Sequence, residues 1–358
     1  MKALILVGGF GTQLRPLTLS KPKPLIDFAN RPQLQHLVEA LVKVGVREIV
    51  LAIAFSPTVM EEFLRKCSQE LDVKITCSQE REPLGTAGPI AYARDVLRTT
   101  EPFFVLNSDV TCTFPLAELL AFHKNHGREG TMLVTKVEEP SRYGVVVHDA
   151  DGKISRFVEK PKQYAGNHVN AGIYVFSPAV LDRIKPQPTS LEKEIFPAMA
   201  QEGHLYCMPL QGKWMGIETP RDFLAAVKVY LHNAATAAPG SLSAHDGVEG
   251  NAIIDATATI GSNCVIGPDV VIGPEVVLEE GVRVERSVLM RGARVKHNTY
   301  ISDSIVGWSA TVGEWARVEN VTVLGEEVQL GDELYVNGGL VLPHKQITAS
   351  VTEPKIIM

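Results

Sequence analysis

Three glycines and one lysine near the start of the chain are residue types that bind phosphate. They are Gly8, Gly9, Gly11 and Lys23, and the glycines directly follow the apolar run at 3–7. Successive backbone N–H groups of a glycine-rich loop form a concave anion site, and a lysine adds positive charge. A tight turn without a ligand is the alternative interpretation. We interpret the segment as a phosphate-binding loop.

The same loop does not fit the two commonest nucleotide-binding motifs. Gly9 and Gly11 match the first two positions of the dinucleotide-binding pattern GxGxxG, but Leu14 stands at the third. The prolines within 16–24 also exclude the helix that must follow that pattern. The pattern GxxxxGK[ST] is absent from the chain. These departures argue against a dinucleotide-dependent oxidoreductase.

A carboxylate after a buried strand is the first candidate for a metal site. Asp109 follows the apolar run at 103–107. Open α/β sheets bind ligands at the carboxyl ends of their strands, and Mg²⁺ prefers carboxylate and phosphate oxygens. An aspartate that caps a helix or stabilises a turn is the alternative. We therefore predict that Asp109 binds Mg²⁺.

An alternation of apolar strands and amphipathic helices positions these residues. The strand-like runs are 3–7, 48–54, 73–77, 103–107, 130–137, 143–161 and 171–178. Apolar residues recur at helical spacing in 33–45 and 59–71, and Asp151-Gly152 marks a hairpin turn. The alternation predicts an α/β, Rossmann-like domain over 1–232, with a mostly parallel sheet and helices on both of its sides.

The pattern changes after a segment of small and turn-forming residues, which we predict to be a linker at 233–250. Aliphatic residues then recur every six positions, at Ile260, Ile266, Ile272 and Leu278. A six-residue period is typical of a parallel β-helix, whose coils each take three short strands and three corners. We expect each aliphatic side chain to point inward and the following Gly or Pro to turn the corner. The predicted β-helix domain is 251–358.

Composition excludes several classes of function. The net charge is −6 with scattered Lys and Arg, which argues against nucleic acid as the main partner. Five cysteines without CxxC spacing indicate a reducing compartment and argue against a zinc site. The first apolar run is too short for a signal peptide, and no run has the length of a membrane span. We expect a cytoplasmic protein without a membrane partner.

The ordered motifs resemble the sugar-1-phosphate nucleotidyltransferases. They include GGFGTQLRPLTLSKPKPL (8–25), EPLGTAGPI (82–90), VLNSDV (105–110), FVEKP (157–161), NAGIYVFSP (170–178) and PTSLEKEIFP (188–197). Within that family, the β-helix ending in VLPHK (341–345) is most similar to the mannose-1-phosphate guanylyltransferases of the β-subunit type. The resemblance implies that GTP and mannose 1-phosphate give GDP-mannose and pyrophosphate with Mg²⁺ as the cofactor. It also implies a left-handed β-helix.

The resemblance assigns roles to individual residues. The implied nucleotide-binding residues are Gly8, Gly9, Gly11, Gly85 and Asn107, with Gly85 against the guanine. The implied sugar-phosphate-binding residues are Gly144, Glu159, Lys160 and Asn170. The implied catalytic positions are Gln13, Lys23 and Asp109.

Two positions depart from the family pattern. Gln13 stands where the family has an arginine that stabilises the leaving pyrophosphate, and a neutral amide supplies no charge there. Gly216 stands where the family has the second metal-binding aspartate. Glu218 lies on the same side of an extended segment as position 216, so it is a substitute metal ligand or a surface glutamate.

Three functional hypotheses follow. The first is a working guanylyltransferase with altered residues. The second is a weakened or non-catalytic paralogue that binds GDP-mannose or regulates a partner subunit. The third, a β-helix acyltransferase that binds acyl-CoA and has His297 or His344 as its catalytic histidine, leaves the N-terminal domain unexplained. We expect a homo-oligomer, or a hetero-oligomer with a related regulatory subunit, formed through the β-helix because open coil ends leave unpaired strand edges.

Overall fold

The computed structural model describes residues 1–9, 11–53, 58, 60–80, 82, 84–238, 240–244 and 246–358. Phe10 and Pro83 of the quoted motifs, Ala54 and Val59 at the ends of a predicted strand and helix, and Pro239 and His245 of the predicted linker lie outside these residues. The chain forms two compact units. The first comprises Met1–Gly9 and Leu34–Trp214, and the second comprises Phe10–Gln33 and Met215–Met358.

A nine-stranded mixed sheet forms the first unit. Its strands in chain order are β1 (Lys2–Val7), β2 (Glu48–Ile53), β3 (Lys74–Gln79), β4 (Phe103–Asn107), β5 (Gly130–Lys136), β6 (Gly144–His148), β7 (Ile154–Glu159), β8 (His168–Phe176) and β9 (Leu205–Pro209). The order across the sheet is β7-β6-β8-β4-β1-β2-β3, and β5 pairs with β8 and β9. Parallel pairing of β4, β1, β2 and β3 confirms the predicted Rossmann-like sheet, which β8 extends in the antiparallel direction.

Helices connect and cover these strands. The α-helices before residue 214 are Gln33–Lys43, Glu61–Leu71, Gly88–Tyr92, Arg94–Leu97, Leu116–His126, Val180–Arg183 and Phe196–Gln201. The first two match the predicted helical segments. The core between sheet and helices contains fully buried side chains such as Leu4, Val105, Tyr174 and Phe196. Strands buried on both faces have near-continuous apolar sequences, so these strands could be predicted from apolar runs in the sequence.

A left-handed parallel β-helix forms most of the second unit. One face contains Ala252–Ile254, Val270–Ile272, Val288–Leu289, Ile305–Val306, Val323–Leu324, Gly339–Val341 and Lys355–Ile357. Another contains Thr259–Ile260, Val277–Leu278, Arg294–Val295, Thr311–Val312, Gln329–Leu330 and Gln346–Ile347. The third contains Val265–Ile266, Arg283–Glu285, Tyr300–Ser302, Arg317–Glu319 and Tyr335–Asn337. Ala252 pairs with Val270 and Val271 with Val288, so a coil takes eighteen or seventeen residues.

Three of the four hexad aliphatics lie inside the prism and Ile260 is half-buried, but the glycine that follows Ile260 does not turn the corner. Ile266, Ile272 and Leu278 are buried inside the prism. A Cβ on Gly261 would lie 2.8 Å from the backbone of Glu279 in the next coil, and Gly261 does not have a positive φ. Asn263, with φ 58°, is the residue in the left-handed conformation at that corner. Gly261 therefore permits close stacking of coils, and the expectation that the glycine turns the corner was wrong at this position.

The helix Pro220–Ala237 is the longest α-helix of the second unit, and it begins with a capping box. Thr219 Oγ1 accepts a hydrogen bond from the Asp222 backbone N–H, and the Thr219 backbone N–H donates to Asp222 Oδ2. The helix continues through residue 232 into the segment that we predict as a linker, and the predicted domain boundaries stay a prediction. None of the described helices is both long and apolar enough to cross a bilayer.

A pair of histidines in the first unit, one buried and one half-buried, couples its stability to pH. His123 Nδ1 lies 2.8 Å from Thr131 Oγ1, and its Nε2 lies 3.0 Å from Ser177 Oγ. His126 Nε2 lies 2.6 Å from the same Thr131 hydroxyl, and its ring stacks on Tyr206. Burial, reinforced by neighbouring positive charges, lowers the pKa of both imidazoles to about 4.

We expect the free energy of unfolding to decrease as the pH falls from 6.5 toward 4. The unfolded chain binds protons at these histidines near pH 6.5, whereas the folded chain resists protonation until about 4. Urea unfolding midpoints between pH 4.5 and 7.5 test this. His126→Phe should flatten the pH dependence, and His232→Phe, at an exposed helical position, should not. A midpoint that is constant from pH 6.5 to 5 would contradict the prediction.

Candidate active site

The carboxyl edge of the parallel strands carries four of the sequence-predicted residues. Leu6 of β1 pairs with Asn107 at the end of β4, and the Ser108 backbone N–H donates to the Leu6 carbonyl. Gly8 and Gly9 directly follow β1, both are exposed, and a Cβ on either would meet nothing within 4 Å. Asp109 follows β4 in a turn and is half-buried. The structure therefore brings two loop glycines, Asn107 and Asp109 to one edge of the sheet.

The residues at this edge fit a divalent metal ion that is held partly by the protein and partly by the phosphates of a ligand. Asp109 offers a carboxylate beside open backbone at Gly8 and Gly9. Within the described part of the chain, no three His, Cys, Asp or Glu side chains form a group that holds a metal by itself. Mg²⁺ is usually held by one or two carboxylates together with substrate phosphates, rather than by an all-protein cage.

Gly144 and Glu159 form a cross-strand pair whose geometry places the carboxylate. They face each other in the β6–β7 hairpin. A Cβ on Gly144 would lie 2.9 Å from Glu159 Oε2 and 2.4 Å from Phe157 Cζ. The missing side chain thus makes room for Glu159 and Phe157. Contact of Gly144 with a sugar stays a prediction.

Lys160 follows β7 in an uncommon backbone conformation. Its φ is 42°, and its backbone N–H donates to the Tyr143 carbonyl at 3.1 Å. A non-glycine residue in the left-handed region costs about 1–2 kcal/mol, and such residues cluster at functional sites. The side chain is exposed and follows Glu159 directly.

A bulge in β8 directs Asn170 toward the centre of the unit. The register with β5 shifts between Asn170 and Tyr174, and Gly172 has φ 74°. Asn170 Nδ2 donates to the Tyr174 hydroxyl at 2.8 Å, and its Oδ1 accepts from the Gly172 backbone N–H at 2.9 Å. Trp214 Nε1 donates to the Ala171 carbonyl at 3.0 Å, which fixes the bulge. Such bulges re-aim side chains beside active sites.

Negative charges gather around Tyr174, and sequence analysis missed part of this cluster. Burial raises the pKa of the Tyr174 phenol well above its usual range, and the charges of Glu192, Glu159 and Asp109 raise it further. Burial, followed by the charge of Glu192, also raises the pKa of Glu159, while Lys160 lowers it. Carboxylates beside the Asn170 amide suit a hydroxyl-rich ligand.

Thr86 and Glu192 are the main polar residues that sequence analysis missed. Thr86 Oγ1 donates to Glu192 Oε2 at 2.6 Å, and Ser190 Oγ donates to the same oxygen at 2.9 Å. Glu192 lies in a π-helical turn, Leu191–Ile195, a feature that is frequent at functional sites. Thr86 lies in the motif at 82–90 and Glu192 in the motif at 188–197, and these motifs were the sequence signal that could have identified them.

Gly85 packs closely against the backbone of Thr189. A Cβ there would lie 2.5 Å from the Thr189 carbonyl oxygen, and φ is 71°. The same carbonyl accepts from the Ala87 backbone N–H, and the Thr189 N–H donates to the Leu84 carbonyl. The packing of the two loops therefore requires a glycine, while the expected contact with guanine stays a prediction.

We expect Gly85→Ala to destabilise the protein by about 3 kcal/mol. The left-handed backbone costs about 1–2 kcal/mol and the overpacked carbonyl contact adds a similar amount. Gly127→Ala is the matched control, since Gly127 has φ 61° and a Cβ there would meet nothing within 4 Å. The difference between the two variants in urea unfolding isolates the collision. Equal losses would contradict the role of Thr189.

The second unit contains the remaining predicted residues of the glycine loop. Gly11 has φ 62° and precedes a single 3₁₀ turn, Thr12–Leu14, in which Gln13 is exposed. Lys23 begins another 3₁₀ turn, Lys23–Leu25, and is half-buried. A Cβ on Gly11 would lie 3.1 Å from Lys23 Cβ, so the lysine stem packs beside the glycine backbone. Short 3₁₀ turns replace the α-helix that the prolines exclude.

The second departure also lies in this unit. Gly216 ends a two-residue strand, Met215–Gly216, and is half-buried. Ile217 is fully buried, whereas Glu218 is exposed and directly precedes the helix cap Thr219. The alternation fits the expectation that positions 216 and 218 share one side. A metal-binding role of Glu218 stays a prediction.

Family models match both parts of the chain. The model described as nucleotidyl transferase matches residues 2–233, and the model described as GMPPB C-terminal domain matches residues 248–357. The two models together cover nearly the whole chain.

Named relatives are similar over their full length. A protein of Danio rerio named mannose-1-phosphate guanylyltransferase catalytic subunit beta is 58% identical over 360 residues, with 100% of both chains covered. The protein of that name from Dictyostelium discoideum is 55% identical over 359 residues, and mannose-1-phosphate guanylyltransferase 1 of Arabidopsis thaliana is 56% identical over 361, both again with complete coverage.

Solved structures match the first part of the fold. A UDP-glucose pyrophosphorylase complexed with UDP-glucose has a TM-score of 0.55 at 19% identity, covering 64% of this chain and 97% of that chain. HddC from Yersinia pseudotuberculosis also has a TM-score of 0.55, at 26% identity, covering 64% and 99%. These likenesses concern the fold.

Proposed function

Because the chain belongs to the nucleotidyltransferase family, among the mannose-1-phosphate guanylyltransferases of the catalytic β type, we propose that it makes GDP-mannose. The substrates are GTP and mannose 1-phosphate, and the second product is pyrophosphate. The observation that carries the proposal is the similarity to enzymes of this name along the entire chain. The polar pocket around Glu159 and Asn170 suits a sugar hydroxyl ligand.

The proposed reaction is an in-line displacement at phosphorus. A phosphate oxygen of mannose 1-phosphate attacks the α-phosphorus of GTP, the bond from that phosphorus to the bridging oxygen of the β-phosphate breaks, and pyrophosphate leaves. Such a step needs little covalent work from the protein. Catalysis then depends on positioning and on neutralising the negative charge that develops.

The glycine loop and its lysine hold the nucleotide in this proposal. Gly8, Gly9 and Gly11 present backbone N–H groups to the phosphates, and two of these glycines have the positive φ that exposes such groups. Lys23 neutralises phosphate charge, and the stem that packs beside Gly11 limits its reach. Asn107 and Gly85 contact the nucleoside side of the ligand.

The sugar phosphate occupies the carboxylate and amide pocket. Glu159 and Asn170 accept from and donate to mannose hydroxyls, and Lys160 binds the phosphate. The raised pKa of Glu159 reflects burial, which a ligand with several hydroxyl donors offsets by hydrogen bonding. Glu192, held by Thr86 and Ser190, completes the acceptors of this pocket.

Mg²⁺ is the proposed cofactor, with Asp109 as its protein ligand and Glu218 as a second candidate. When bound, the ion neutralises phosphate charge and orients the triphosphate. Asp109 lies after β4 at the edge where open α/β sheets bind ligands, which supports this assignment.

The binding-only hypothesis rests on Gln13 and Gly216 alone. The full-length relatives are named as transferases, and this favours catalysis over a purely regulatory role.

We further propose a cytoplasmic homo-oligomer, or a pairing with a related regulatory subunit, through the β-helix. The open coil ends of the β-helix, which leave unpaired strand edges, support this assembly. Sedimentation of the full-length chain at two concentrations tests the assembly.

One assay tests the proposed function. Purified full-length protein is incubated with MgCl₂, mannose 1-phosphate and each of GTP, ATP and UTP, and sugar nucleotide and pyrophosphate are quantified. We expect GDP-mannose and pyrophosphate in equal amounts, with GTP preferred. Glucose 1-phosphate is the sugar control. No sugar nucleotide from any combination would refute the proposal.

A further inference from the structure

A tight hairpin of the second unit connects the lysine turn to the β-helix. Strand Asp27–Phe28 pairs with Arg31–Pro32, and the turn residues Ala29 and Asn30 have φ of 48° and 66°. Asn30 Nδ2 donates to the Ile272 carbonyl of the β-helix at 2.8 Å. Two positive φ values are typical of a type I′ turn, which is unusual for alanine. The hairpin is thus held in a defined conformation at the surface of the β-helix.

An apolar cluster reinforces this contact within the same unit. Phe28 is 1% exposed, and its ring packs edge-on against Phe223 and Tyr230 of the helix Pro220–Ala237. Further members of the cluster are Leu14, Leu17 and Ile26 from the loop, and Val271, Val288, Met290, Ile305, Trp308 and Val323 from the β-helix. The segment that carries Gly11 and Lys23 therefore packs on the β-helix through a shared core.

Trp308 contributes the one indole of this cluster, and it bonds to the hairpin directly. Its Nε1–H donates to Asp27 Oδ2 at 2.6 Å, and the side chain is 4% exposed. Lys21 Nζ lies 3.2 Å from the same oxygen and 4.4 Å from the centroid of the indole ring. The Asp27 carboxylate therefore has two charge-assisted interactions, and the cation–π contact between Lys21 and the indole links its two partners.

These interactions bracket the residue that the proposed function places on the phosphates. Lys21 and Asp27 lie on either side of the 3₁₀ turn Lys23–Leu25, and their ion pair closes that turn. The Leu25 and Ile26 backbone N–H groups donate to the carbonyls of Pro22 and Lys23. The stem of Lys23 in turn packs beside Gly11. Displacement of Asp27 would therefore shift the turn that carries Lys23.

We propose that Trp308 is a positioning residue for nucleotide binding, acting through Asp27 and Lys21 on the phosphate-binding turn at Lys23. The β-helix then supports nucleotide binding through this contact, in addition to any role in assembly. The kinetic consequence rests on the proposed function, whereas the anchoring of the turn does not.

The experiment compares Trp308→Phe with wild type in the full-length protein. Phenylalanine keeps a ring in the cluster and removes the N–H donor. Trp315→Phe is the matched control, an exposed tryptophan of the same domain. In Trp308→Phe we expect the Leu25 and Ile26 backbone amides to exchange hydrogen about tenfold faster than in wild type. We also expect kcat/KM for GTP to fall about tenfold. Both effects correspond to the loss of one charge-assisted hydrogen bond. The KM for mannose 1-phosphate should not change.

A double-mutant cycle tests the route through Asp27. If Trp308 acts through that carboxylate, Asp27→Asn combined with Trp308→Phe should lose no more kcat/KM for GTP than the more damaging single variant. Additive losses would overturn the route. A general loss of packing would instead lower the unfolding temperature and affect both substrates alike.

The outcomes separate this proposal from the proposed function. Amide exchange in Trp308→Phe equal to that in Trp315→Phe overturns the anchoring, whether or not the protein is active. Faster exchange with unchanged kcat/KM for GTP overturns the positioning role. If wild type forms no GDP-mannose, the proposed function fails, and calorimetry of MgGTP binding replaces the kinetic comparison. Unchanged affinity in Trp308→Phe would then overturn the inference.

Discussion

Replacement of Asp109 by alanine is expected to reduce GDP-mannose formation by on the order of 10³-fold, because the metal loses its protein carboxylate and the triphosphate charge stays uncompensated. Asp109 lies in the turn after β4, at the edge that also carries Gly8 and Gly9. Asp109 is half-buried in a turn and outside the strands of the sheet, so we expect folding to be retained. Initial rates over a range of MgCl₂ concentrations, with far-UV circular dichroism for folding, provide the measurement.

The matched control for this change is Asp151→Ala. Asp151 is an exposed carboxylate in the turn of the β6–β7 hairpin. In the sequence it does not directly follow any of the parallel strands β1 to β4. Its removal should leave the rate within twofold of wild type, on the order of the effect of surface substitutions. Full activity of Asp109→Ala at ordinary Mg²⁺ concentration would show that the metal assignment is wrong.

The elements of the fold were predictable because local periods encode them. The six-residue recurrence of Ile266, Ile272 and Leu278 specifies inward-facing positions of a coil, and the structure buries all three. Continuous apolar runs specify the buried parallel strands β1, β2 and β4 in the same way. The stacking role of Gly261 was not predictable, since it depends on Glu279 in the next coil.

The candidate site was predictable where a motif is local and not where it depends on distant contacts. Glu159 and Asn170 were identified through a resemblance, and the structure explains their placement by Gly144 and by the bulge at Gly172. The Thr86–Glu192 hydrogen bond joins residues 106 positions apart, and the Trp308–Asp27 bond joins residues 281 apart. No periodicity of the sequence encodes such pairs.

Restoring the two family residues should raise turnover steeply and leave product affinity nearly unchanged. In the proposed function, the family's arginine and aspartate at positions 13 and 216 act on the transition state, whereas Glu159, Asn170 and the loop glycines act mainly in ground-state binding. An interaction made only in the transition state changes kcat and not the affinity for GDP-mannose. One restored donor typically contributes about 10²-fold in rate. We therefore expect a gain of that order from Gln13→Arg in a background that also carries Gly216→Asp.

The structure places both positions in the second unit, each in or beside a short element. Gln13 is exposed in the 3₁₀ turn after Gly11, and Gly216 is half-buried two residues before the exposed Glu218. Both groups would act on one triphosphate and its metal, so their effects should be non-additive. The double variant should exceed the product of the two single gains.

Steady-state kinetics on the four proteins of this cycle, with calorimetry for GDP-mannose, decide the matter. Arg15→Gln, in the wild-type and the double-variant background, is the matched control for charge beside the loop, because Arg15 is exposed two residues after Gln13. Wild-type turnover equal to that of the double variant would mean that Arg15 or Glu218 already supplies the missing charge or ligand. If Arg15 supplies the charge, Arg15→Gln would lower the rate only in wild type. A double variant as slow as wild type, with GDP-mannose still bound, would instead show that the limitation lies elsewhere in the pocket, and the assignment of Gln13 and Gly216 as the cause of slow turnover would be wrong.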